Sequence, residues 1–209
     1  MRRVFVIALA PALLAQTTAS ANPEPPAAPP VARPAPHTGC LPNGDGYLKA
    51  RIRGALTLNV DLAGAELECE GGARSDGSGL RLSFVSVKRH HGHRIRMVFG
   101  LGLVQEGRDA RNVPTNLTVI LEGEQRLYGT RGESQCTVDR MTQQRLPEAA
   151  NVPRTYRVVA RGLCVGPAAS LDGRERIVVS EFDFAGAARF SDSQQNQQRP
   201  VIISPSQPK

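Results

Sequence analysis

The chain has 209 residues, with 26 Lys and Arg against 19 Asp and Glu, a formal charge of +7, four cysteines and no tryptophan. Its 3 Tyr and 6 Phe are not interleaved with any basic run, so the stacking platforms and cationic track that nucleic acid requires are missing, and no nucleic-acid partner is expected. No apolar run reaches the roughly 20 residues that a membrane-spanning helix needs.

Met1-Arg2-Arg3 is followed by an apolar run from Val4 to Ala15, and Ala19-Ser20-Ala21 offers the small residues that a signal peptidase accepts. Residues 1–21 therefore read as a signal peptide cleaved after Ala21, which predicts a periplasmic or secreted protein with no membrane span after cleavage. Arg2-Arg3 also resembles the core of a twin-arginine export signal; an ordinary secretory signal is the simpler reading. Loss of the two arginines lowers the formal charge from +7 to +5, a moderate excess that suits weak attraction to anionic surfaces. Thr38-Gly39-Cys40 loosely resembles the end of a lipobox, but a lipidated cysteine must follow the apolar segment directly. Residues 22–39 intervene and hold seven of the 16 prolines; they read as an extended, disordered linker, because proline fixes φ and removes a backbone donor.

Cys40, Cys69, Cys136 and Cys164 form an even set in an exported chain, which argues for two disulfides. Three connectivities are open. The favoured one pairs Cys40 with Cys69 and Cys136 with Cys164, closing two loops of about 30 residues, each stabilising by roughly 3 to 4 kcal/mol in the chain-entropy model.

The folded region is expected over residues 40–190. From Tyr47 to Glu70 the side chains alternate: Leu48, Ala50 and Ile52 against Lys49, Arg51 and Arg53, then Leu56, Leu58 and Val60 against Thr57, Asn59 and Asp61, then Leu67 and Cys69 against Glu66, Glu68 and Glu70. A period of two buries one set and wets the other, so a hairpin is expected, with the basic row standing near the acidic row if the strands pair. Leu80–Lys88 and Arg94–Val104 read as a second hairpin with its turn at Arg89–His93, and strands are expected at Asn116–Glu122, Gln125–Arg131, Gln135–Met141, Thr155–Val165 and Arg174–Phe190. No sustained helical period occurs. The fold class is all-β: an antiparallel sandwich, or a barrel, of about 8 to 10 short strands with two disulfides, preceded by signal peptide and linker. Residues 191–209, rich in Gln, Ser and Pro, read as a disordered tail.

His90, His91 and His93 form the densest cluster of metal-ligating side chains, and a hairpin tip lets imidazoles converge. The adjacent Lys88, Arg89 and Arg94 would repel a cation. Asn43-Gly44-Asp45-Gly46 resembles part of a calcium loop, but Leu41 and Ile52 then occupy ligand positions, leaving a turn. Gly162-Leu163-Cys164-Val165-Gly166 has the form of a nucleophile elbow without the helix that must follow it. Glu181 and Asp183 would stand roughly 6.5 to 7 Å apart on one strand face, a spacing that glycosidases use, yet aromatic platforms are scarce. Asn116-Leu117-Thr118 is a glycosylation sequon, relevant only in a eukaryotic source. Lys49, Arg51, Arg53, Arg81, Arg94 and Arg96 would gather into a basic face if the two hairpins are neighbours, unless Glu66, Glu68 and Glu70 neutralise it.

The leading expectation is an exported, non-enzymatic β-domain that binds a protein or an anionic envelope polymer through a sheet face or edge, with no cofactor. A metal-binding protein or metalloenzyme using the histidine turn is the first alternative. A carbohydrate-binding module is the second, with only Tyr47, Tyr128 and Tyr156 as stacking platforms.

Overall fold

The computed structural model describes residues 40–147 and 154–190. The expected signal peptide, linker and tail lie outside the described residues. Eleven strands are present among those described: β1 (Tyr47–Gly54), β2 (Leu58–Ala63), β3 (Leu67–Ala73), β4 (Gly79–Ser86), β5 (Arg94–Gly102), β6 (Ala110–Glu122), β7 (Arg126–Gly129), β8 (Cys136–Arg145), β9 (Arg154–Cys164), β10 (Ala168–Ser170) and β11 (Arg176–Phe190). The architecture is the expected antiparallel, sandwich-like β-fold. Alternation reveals ten of these strands; β10, three small residues with no period to read, is the addition.

Seven strands close into a ring of hydrogen-bonded neighbours, β3–β4–β5–β6–β8–β9–β11. Every junction is antiparallel except the last, where Arg189 of β11 lies beside Gly72 of β3 in parallel. Two long strands make this possible. β6 gives its first half to β8 and its second half to β7 while β5 runs along its other side. β11 pairs with β1 and then β3 on one side, and with β10 and then β9 on the other. β2 extends the sheet beyond β1.

The core fills by alternation. Phe84 and Phe99, from β4 and β5, lie 6.0 Å apart edge-on and meet Phe182 and Phe184 of β11 with ring centroids 4.7 to 5.0 Å apart, within the range of favourable tilted and edge contacts. Because Phe182 and Phe184 point inward, Asp183 between them must point out. The same rule turns Arg161 outward between the buried Ala160 and Gly162.

Both disulfides form, Cys40–Cys69 and Cys136–Cys164. The second joins residues directly opposite on β8 and β9. The first ties the segment before β1 to β3, while neighbouring Leu41 covers Ala185 and Ala187 on the outer face of β11.

The acidic row needs correction. β1 and β2 form the expected hairpin, with Lys49 opposite Asp61 and Ile52 opposite Leu58. β3 does not join them. The 3-10 turn Gly64–Glu66 carries the chain away, and β3 pairs with β4, placing Glu68 opposite Val85 and Glu70 opposite Ser83. Alternation specifies which face a residue occupies but not which strand lies next to it, so the acids that meet the β1 cations come from β2 and β11 instead.

Candidate functional site

The six cations expected to form one face divide between two places. On β1, Lys49 Nζ lies 3.7 Å from Asp61 and Arg51 Nη2 lies 3.0 Å from Glu181 of β11. Arg53 donates to the Ile52 carbonyl (2.8 Å) and to Asn59 Oδ1 (3.0 Å). On β5, Arg94 and Arg96 both grip Glu122, at 3.2 and 2.7 Å, and Arg96 also donates to Ser83 Oγ at 3.1 Å. Arg81 stands on β4 between Gly72 and Gly100. β3 and β11 separate β4 from β1, so the two groups do not share neighbouring strands.

The histidine turn is a tight hairpin, closed by paired backbone hydrogen bonds between His90 and His93 at 2.7 and 3.1 Å. His91 and Gly92 occupy its two corners with φ of 50° and 87°, as a type I′ turn demands. The rings are engaged separately. His90 Nε2 donates to the Asn59 carbonyl of β2 at 2.9 Å, and His93 Nδ1 lies 2.8 Å from Glu124 Oε1. Among the described residues no group of three or more His, Cys, Asp or Glu is placed to hold a metal ion. Cys164, the residue at the elbow position, is held in its disulfide, and Asn116 lies against Gly100 within β6.

A different constellation emerges from the sheet register. Across the outer face, Arg111 of β6 is opposite Arg140 of β8, and Arg140 is opposite Arg161 of β9. Arg161 is opposite Asp183 of β11, which is opposite Lys49 of β1, which is opposite Asp61 of β2. Six charged residues thus form one transverse row. Its β1 end alternates in sign, while its β6 end is three arginines side by side. No described residue forms an ion pair within 4.0 Å with Arg111, Arg140 or Arg161. Like charges directly opposite on adjacent strands are destabilising, and here three stand side by side with Asp183 across from Arg161 at one end.

Two bulges shape the surroundings. The β8–β9 register slips between Val138 and Arg140, so Asp139 and Arg140 are both exposed on consecutive positions; Asn112, facing the slip from β6, has a φ of 51°. The β1–β11 register slips between Arg51 and Ile52, leaving Ser180 as the extra residue beside Glu181. Bulges of this kind redirect side chains and are frequent beside binding sites. Here both extra residues line one cleft of about 650 Å3, together with Lys49, Asp61, Arg161 and Asp183. At its edge the Tyr47 hydroxyl donates to Asp183 Oδ1 at 2.8 Å; burial, with the carboxylate beside it, pushes the phenol up to about 12.

A second cleft, of about 590 Å3, lies between β7 and the β10–β11 turn. Its polar groups are mutually satisfied: the Tyr128 hydroxyl donates to Glu175, which also accepts from Arg126 at 3.0 Å. No protein family, no curated protein and no solved structure matches this chain.

Lys49 belongs to both the expected set and the observed row. Arg111, Arg140, Arg161, Asp139 and Ser180 escape sequence reasoning, because their proximity depends on strand order and on two one-residue slips.

Proposed function

We propose that this protein is an exported, non-enzymatic binding domain that takes an anionic partner on the outer face of β6, β8 and β9. The observation that carries this reading is the cross-strand stripe Arg111–Arg140–Arg161, free of any acid at ion-pairing distance among the described residues. Guanidinium groups offer forked donors suited to carboxylates and phosphates, and three at neighbouring-strand spacing, about 4.7 to 4.9 Å, present a graded target to a chain of anions. Lys49 and Arg51 on the same face already have acids, so an incoming anion at those two positions would have to displace an internal partner.

The expected signal peptide and the two disulfides support a site of action outside the cytoplasm. The test is retention on immobilised poly-glutamate across a salt gradient. The native protein is expected to bind at low salt and to be released as ionic strength rises, and Arg140→Glu with Arg161→Glu to pass unretained. Equal retention of the double variant would refute the assignment.

A further inference from the structure

We infer, resting on the reading above, that the anionic partner is an acidic polysaccharide, its carboxylates on the arginine stripe and its hydroxyls in the adjoining cleft. The stripe does not end in neutral surface. It runs directly into Asp183 at the Arg161 position, with Asp139, Asp61 and Ser180 lining the cleft beside it. Carboxylates there repel a continuous polyanion but accept hydrogen bonds from neutral hydroxyls, and the Ser180 hydroxyl can both donate and accept. A ligand that meets arginines and acids along one line must therefore combine anionic groups with O–H donors. A chain of uronic acid units does so in every repeat; an all-carboxylate chain, or a phosphodiester chain without free hydroxyls, does not.

The volume agrees. About 650 Å3 lies inside the range of roughly 300 to 1,000 Å3 typical of small-ligand clefts, enough for the end of an oligosaccharide and too little for a folded protein segment. A protein partner is disfavoured for a second reason. Stable protein interfaces are built around several buried apolar or aromatic anchors, and although Leu163 and Val165 beyond Arg161 are exposed, the stripe is otherwise flanked by Asn112, Thr137 and Thr142. Recognition here works through charge and hydrogen bonding without an aromatic platform, which explains how a chain with no tryptophan can bind sugar.

The test uses the mature protein and three probes in calorimetric titration: an oligogalacturonate, the same oligosaccharide with its carboxyl groups reduced to alcohols, and poly-glutamate of matched charge. The oligogalacturonate is expected to bind roughly tenfold or more tightly than either comparison probe. Arg140→Ala is expected to weaken both anionic probes about tenfold, whereas Asp139→Ala with Ser180→Ala weakens the oligogalacturonate alone. Both substituted acid-side positions are exposed, and circular dichroism of each variant checks that the fold is retained. Poly-glutamate binding as tight as the oligogalacturonate, or indifference of the sugar to Asp139 and Ser180, overturns the polysaccharide assignment while leaving the anionic reading intact. Failure of both anionic probes overturns the two together.

Discussion

The two ends of one transverse row obey opposite rules. At the β1 and β2 end Lys49 has Asp61 and Arg51 has Glu181 across the strand, while Arg53 is held by Asn59 and the Ile52 carbonyl. At the β6, β8 and β9 end three arginines face one another. The arginine end also carries the one-residue slip at Asp139, so side-chain choice and a local bulge together set the difference: one end pairs its charges, the other sets like charges side by side. Exposed pairs such as Lys49–Asp61, whose side chains are 59% and 70% accessible, contribute at most about 1 kcal/mol.

The largest effect should come from the sulfur link beneath the arginine end. Cys136→Ser with Cys164→Ser opens the β8–β9 bridge and is expected to cost about 3 to 4 kcal/mol in urea unfolding, since the loop closes 28 residues. Next comes Gly162→Ala. A Cβ there would sit 2.1 Å from the Thr137 carbonyl and 2.8 Å from the Phe182 ring, and the backbone on the β8 side has no room to yield. A loss of about 1 to 3 kcal/mol is expected from the same measurement, with Arg161 displaced alongside.

A smaller effect separates the two ends most cleanly. Arg140→Glu places an acid between Arg111 and Arg161 and is expected to stabilise the ligand-free protein by about 0.5 to 1 kcal/mol, whereas Asp61→Lys at the other end should destabilise it by a similar amount. A gain in thermal midpoint for the first and a loss for the second would establish that the arginine stripe costs stability. Such a cost is common where a surface serves binding.

The smallest effect is seen in alkali. Tyr47 ionises near 12 in the folded protein and near 10 when unfolded, so between those values the unfolded chain releases a proton that the folded one retains. Its contribution is intact below pH 10 and is lost as pH rises toward 12. Tyr128 and Tyr156, also raised by burial, act in the same direction. Tyr47→Phe should therefore flatten, without abolishing, the fall in thermal midpoint over that range. On the acid side Glu175 is held low by hydrogen bonds from Tyr128 and Arg126, so its contribution is present above the ordinary carboxylate range and disappears as pH falls through its lowered value.

Much of this architecture is legible in the amino-acid order. The alternation at Leu48–Arg53 and Leu58–Leu62 names a hairpin, the spacing of four cysteines favours the two bridges, and His91-Gly92 marks a tight turn. What alternation does not carry is the identity of a strand's neighbour. Glu68 and Glu70 therefore fall beside β4 instead of β1, because a single short turn redirects the chain. The arginine stripe is hidden for the same reason. Arg111, Arg140 and Arg161 lie on three strands far apart in the chain, and the slip at Asp139 is what brings the last two into register.

The most direct test sets the two ends against each other. Dissociation constants for poly-glutamate should be measured by calorimetry at low salt for Arg140→Glu with Arg161→Glu and for Lys49→Glu with Arg51→Glu. The first pair is expected to weaken binding well beyond tenfold and the second by no more than about threefold. A greater loss from the Lys49 and Arg51 pair, or the same loss from both, would contradict an anion site built on the unpaired arginines.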